Sequence, residues 1–194
     1  MQFIEGVDIP EEVLKAHSDG KLVLFVGAGA SKSAPSSLPL FTELAKQLGE
    51  LARVPCLKIH EDRIDTYIGS LPENFDSHYH AADLLQPEGS APNDVHRAIT
   101  RVASCAGKPK IVTTNFDTHL SSAAQELSLD LGEKWIGPAL PLGRDFSGIV
   151  HLHGSLSRSH RELILDDRGF GRAYFGDGWA PRFLQPMIKW RSVL

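Results

Sequence analysis

A chain of 194 residues with 42% hydrophobic and 23% charged side chains is long enough to bury one core of its own and reads as an ordinary soluble globular domain. The formal net charge of -4, with no basic run, argues against a nucleic-acid surface. The two cysteines, Cys56 and Cys105, have no Cys-x-x-Cys partner, so no structural zinc is expected and free thiols in a reducing compartment are.

The N-terminal residues lack a basic region followed by an apolar run, and no apolar stretch reaches membrane-span length, so a cytoplasmic setting without membrane contact is expected. In chain order, Pro10, the acidic pair Glu11 and Glu12, and Gly20 predict a first helix over 10–19. Lys21 to Val26 is an apolar run after its first residue, as in a central parallel strand, and a glycine loop follows at once. Phe41, Leu44, Leu48 and Leu51 predict an amphipathic helix over 41–52. Pro55, Pro72, Pro87 and Pro92 punctuate the next stretch, which reads as a mostly helical insertion over about 54–108. Within it, Val95, Ala98, Ile99 and Val102 restore helical spacing, and Gly107 is a stop signal.

Lys110 to Thr114 is short and β-branched, so it reads as a second core strand. Leu120, Ala123, Ala124 and Leu127 mark another helix, with Asp117 as its cap candidate. Ser147 to Leu152 reads as a third strand and Leu163 to Leu165 as a fourth. This alternation favours an α/β fold, a Rossmann-like parallel sheet flanked by helices, in one domain over 1–194. Arg191 to Leu194 reads as the entry to a further strand, so the chain is expected to be a piece of a longer protein with other modules after it.

Three strand ends carry candidate chemistry. Gly27, Ala28, Gly29 and Ser31 follow the first strand, where glycines let backbone N–H groups approach a phosphate. The third glycine of the dinucleotide fingerprint is missing, because position 32 is Lys32. The bland alternative is a tight turn without a ligand. Thr113, Thr114, Asn115 and Asp117 end the second strand, where Asn115 can orient a ribose hydroxyl or a water. Alternatively, Asn115 makes an Asx turn and Asp117 only caps a helix. His151, His153 and Gly154 end the third strand. A histidine there can move a proton near neutral pH and Gly154 leaves room for a ligand, although a satisfied structural histidine is the commoner case. A metal on the two histidines ranks lower, because no third ligand is evident.

Taken together, Gly27 to Ser31, Thr113 to Asp117, and His153-Gly154 resemble the motifs of the sirtuin, or silent-information-regulator, family, in the family's order, over roughly residues 20–175. The resemblance implies NAD as substrate. It places Gly27, Ala28, Gly29 and Ser31 at the phosphates and adjoining ribose. It makes Asn115 and His153 catalytic, counts Thr114, Asp117 and Gly154 among the NAD-binding residues, with Asp117 near the nicotinamide or supporting the loop, and implies no metal. Protein-deacylating sirtuins carry four zinc-binding cysteines after His-Gly, and no cysteine follows Cys105 here. The pattern is therefore more similar to bacterial sirtuin-like domains that hydrolyse NAD in antiphage defence. That likeness implies a homo-oligomer and an attached or partner sensor module. A non-catalytic NAD or ADP-ribose binding module is the first alternative. An NAD-dependent deacylase or ADP-ribosyltransferase is the second.

Overall fold

The computed structural model describes residues 2–4, 7–56, 62–105, 107, 109–141, 146–190, 192 and 193. Its frame is a five-stranded parallel sheet in the order β5-β6-β4-β3-β7. The strands are β3 (Leu22–Val26), β4 (Lys110–Thr113), β5 (Glu133–Ile136), β6 (Gly148–His151) and β7 (Ser192–Val193). A separate antiparallel pair, β1 (Gln2–Ile4) with β2 (Val7–Asp8), precedes α1 (Glu11–Ser18). Val26 lies opposite Thr113, and Thr113 opposite His151. Three strands therefore stop level, and the three motifs leave from one edge of the sheet.

Side chains alternate across each strand, so the apolar runs supply two cores. On one face Leu24, Val26, Ile111 and Ile149 pack against α5 (Asp94–Cys105) and α6 (His119–Glu126) through Ala103, Leu120 and Ala124. On the other, Val23, Val112, Val150 and Leu152 pack against Ala180, Phe183 and Met187 of α8 (Trp179–Trp190). A third cluster forms a small lobe beside the strand ends. It joins Leu44 and Leu48 of α2 (Phe41–Ala52), Tyr67 and Ile68 of α3 (Ile64–Gly69) and Ala81 of α4 (Ser77–Leu84) to Phe116, Leu163 and Leu165.

Local signals set the helix ends. The Glu43 carboxylate accepts from the Leu40 N–H at 2.8 Å and opens α2, and the Asp76 carboxylate accepts from the Tyr79 N–H at 2.9 Å and opens α4. At the start of α5 the Asn93 side-chain oxygen accepts from the backbone N–H groups of Val95 and His96. Gly20 and Gly107 adopt left-handed φ values of 64° and 74° just past their helices.

Two expectations change, and one helix buries a face other than its apolar stripe. Leu163 to Leu165 is buried but forms no strand, because its described ladder contact is one bond, from the Ile164 N–H to the His153 carbonyl. The cap of α6 is Thr118, and Asp117 instead accepts from the His119 N–H two residues on. In α5 the apolar stripe is not the buried face: His96, Thr100 and Ala103 are buried, while Val95 and Val102 are 45% and 43% exposed. The helix is turned by one residue, about 100°, because His96 is drawn toward the strand ends. The strand β5, the pair β1–β2, the helix α8 and the short α7 (Asp167–Gly171) were not legible as elements. The entry to a further strand is seen as β7 at Ser192–Val193, with Arg191 and Leu194 outside the described residues. Residues 57–61, 106 and 108 of the expected insertion also lie outside them.

Candidate functional site

A cavity of about 230 Å³ opens at the shared strand edge. Ala28, Ser31, Thr114, Asn115, Asp117 and His153 line it, so six of the nine candidate residues meet in one place. Leu38, Pro39, Phe41, Leu44, Leu85, Ile164 and Phe170 complete an otherwise apolar wall. Gly27 and Gly29 lie outside this cavity, on a neighbouring recess of about 420 Å³ with Phe25, Val95 and Ile99.

The glycines differ in why they are glycine. Gly27 is extended, and a Cβ at Gly27 or Gly29 would meet nothing within 4 Å. The turn itself therefore does not demand glycine at either position, and the bare backbone is open to an approaching group. Gly154 is the opposite case. Its φ is +95°, and a Cβ would lie 2.7 Å from the Glu162 carbonyl oxygen. The expected room for a ligand at Gly154 is thus taken by the chain's own backbone.

Asn115 is fixed from three sides. Its N–H donates to the Thr113 hydroxyl at 3.0 Å, and that hydroxyl donates to the Val26 carbonyl. Its carbonyl accepts from His151 Nδ1 at 3.2 Å, and its Nδ2 donates to Ser31 Oγ at 3.3 Å. The remaining atom, Oδ1, is buried without a hydrogen-bond partner among the described residues. A buried, unpaired amide oxygen beside a cavity costs free energy unless something that enters the cavity donates to it.

Behind Ser31 lies a network that sequence reasoning missed. The Asn93 N–H donates to His96 Nδ1 at 3.2 Å, so the neutral ring carries its proton on Nε2 and donates to Ser31 Oγ at 3.1 Å. Ser31 in turn donates to Asp117 Oδ2 at 2.8 Å. Burial pushes His96 below the ordinary imidazole value, against the pull of Asp117. The serine proton goes to the carboxylate, not to the histidine. The group is therefore a positioning network and not a nucleophilic triad. One signal for it was available: Asn93 caps a helix whose third residue is a histidine on the side away from the apolar stripe.

His151 is fully buried, with its proton on Nδ1 for the Asn115 carbonyl and Nε2 unpartnered among the described residues. Burial lowers its pKa. His153, just past β6, has its Nε2 hydrogen-bonded to the Tyr174 hydroxyl at 2.8 Å, and the Phe170 ring meets it edge-on at 5.2 Å. Burial pushes His153 down to about 4, so it is neutral at physiological pH, and it raises Tyr174. Among the described residues no group of three metal-ligating side chains occurs, and no helix is long and apolar enough to cross a membrane.

Two comparisons with known proteins bear on the chain. Residues 109–194 match the model of the SIR2-like domain, and the chain carries a sirtuin-like domain there. SIR2-like domains use NAD as a substrate. The chain is also 31% identical, over 210 aligned positions, to the uncharacterized protein y4cA of Sinorhizobium fredii (strain NBRC 101917 / NGR234). That alignment covers 97% of this chain but 17% of the relative, so the chain spans a small part of that protein's length.

Proposed function

We propose that this domain is an NAD glycohydrolase that gives nicotinamide and ADP-ribose. The observation that carries the reading is the buried, unpartnered Asn115 Oδ1, beside the same cavity as a neutral His153. The open backbone at Gly27 and Gly29, where the fold itself does not require glycine, supports phosphate approach from the adjoining recess. In the reaction the C1′–N bond breaks and its electron pair leaves with nicotinamide, while a water oxygen bonds to C1′. Asn115 Oδ1 accepts from that water and holds it, and His153 takes its proton. The apolar wall keeps other water away. The cationic leaving group needs no acid, metal or covalent nucleophile.

By the same reading, the domain is a cytoplasmic NAD-depleting module of an antiphage system, acts as a homo-oligomer, and is attached to a sensor. The resemblance supports this, and a relative in which the aligned region is 17% of the length supports the attachment to further modules alone. Purified protein should release nicotinamide without an acylated peptide or a protein acceptor. Asn115→Ala and His153→Ala should each cut that release by about 100-fold or more with the circular dichroism spectrum unchanged. Full activity in both variants would refute the assignment, and tight NAD binding without release would favour a sensing module. Phage challenge of cells carrying wild type or Asn115→Ala tests the defence role.

A further inference from the structure

His153 has a partner that the three motifs do not include. Tyr174 sits in a π-helical turn, Arg172–Gly176, between α7 and α8. Such turns insert one extra residue and often occur at functional sites. Tyr174 is partly buried and packs against the second core, and its ring lies 6.1 Å from that of Phe170 at an interplanar angle of 24°. Phe170 and Tyr174 both flank the His153 ring and hold its plane. The Tyr174 hydroxyl occupies Nε2. The other ring nitrogen, Nδ1, makes no hydrogen bond among the described residues and is not among the buried unpaired atoms. It is therefore the ring nitrogen left without a partner among those residues, on a residue that lines the cavity.

We propose that Tyr174 is the positioning residue for His153, accepting the Nε2–H so that Nδ1 faces the cavity as the lone-pair nitrogen. This rests on the glycohydrolase reading for its consequence but not for its geometry. A hydroxyl can donate or accept, and the two arrangements have opposite outcomes. If Tyr174 donated, Nε2 would be occupied and Nδ1 would carry the proton, which leaves no basic nitrogen toward the cavity and an N–H facing an apolar wall. If it accepts, the same bond serves both protonation states. The neutral ring donates from Nε2, and after Nδ1 takes a proton from water the imidazolium still donates from Nε2 to the same oxygen. No partner has to turn during the step.

The test reads the tautomer directly. In the full chain with 15N-labelled histidine, His153 should show its proton on Nε2, and Tyr174→Phe, which keeps the ring and its packing, should move it to Nδ1 or to a mixture. The same variant should lower kcat for nicotinamide release about 10- to 100-fold and leave KM within about twofold. A wild-type His153 protonated on Nδ1 overturns the proposal without any variant. So does a Tyr174→Phe protein with an unchanged tautomer or unchanged kcat. Asn115→Ala with full activity would instead refute the glycohydrolase site, while the tautomer shift in Tyr174→Phe would stand.

Discussion

Ser31 Oγ accepts from His96 and from Asn115 and donates to Asp117, so its hydroxyl has no remaining capacity. Removing it orphans three buried groups at once. Ser31→Ala should cost about 1–3 kcal/mol in urea unfolding and should weaken nicotinamide release, because Asn115 then loses its side-chain anchor. An unchanged unfolding midpoint would mean that the network is not stabilising. The motif residues were legible at this scale because each follows an apolar strand directly, so spacing reveals them. His96 and Tyr174 were not. Their partners lie 65 and 21 positions away, and only tertiary packing brings them together. The role of Gly154 was misread for the same reason, since the backbone it accommodates belongs to residues 162 and 163.

Among the elements, the helix over 41–52 and the strands β3, β4 and β6 follow from period and run length. Elements with mixed or weak periodicity, such as β5 with its exposed Glu133 and Lys134, do not. In α5 the helical period is seen, but the apolar stripe and the buried face do not coincide. Hydrophobic spacing marks a stripe, but the fold buried the neighbouring stripe because His96 completes a polar network there. Val102→Gln on the exposed side should therefore shift stability by less than about 0.5 kcal/mol. Gly148, at the start of β6, is the contrasting case. Its φ is +127°, and a Cβ there would lie 1.9 Å from the Glu133 carbonyl oxygen of the adjacent strand. Gly148→Ala should cost about 2–4 kcal/mol, and differential scanning calorimetry on both variants separates the two predictions.

For the whole molecule, three histidines share one direction of shift, His96 and His151 fully buried and His153 partly so. Burial lowers His96, His151 and His153 from an ordinary value of 6.5, the last to about 4. A histidine whose folded pKa is depressed is neutral in the native state and takes up a proton more readily when unfolded. Its contribution to stability is complete above pH 6.5 and is lost as pH falls toward the folded value. For His153 the full span is about 3 kcal/mol. The melting temperature should fall steadily from pH 7 to pH 4.5. His153→Gln should flatten that fall, and an equal slope in both proteins would remove His153 from the account.

The bond from Ser31 to Asp117, with His96 on its other side, also constrains how such a sequence can diverge. The three positions lie in different elements, yet no one of them can change alone without leaving a buried donor or acceptor stranded. In descendants of a common ancestor they should drift as a unit, each lineage holding either the whole trio or a jointly altered set. A collection of related sequences in which position 96 varies freely while Ser31 and Asp117 stay fixed would contradict that coupling.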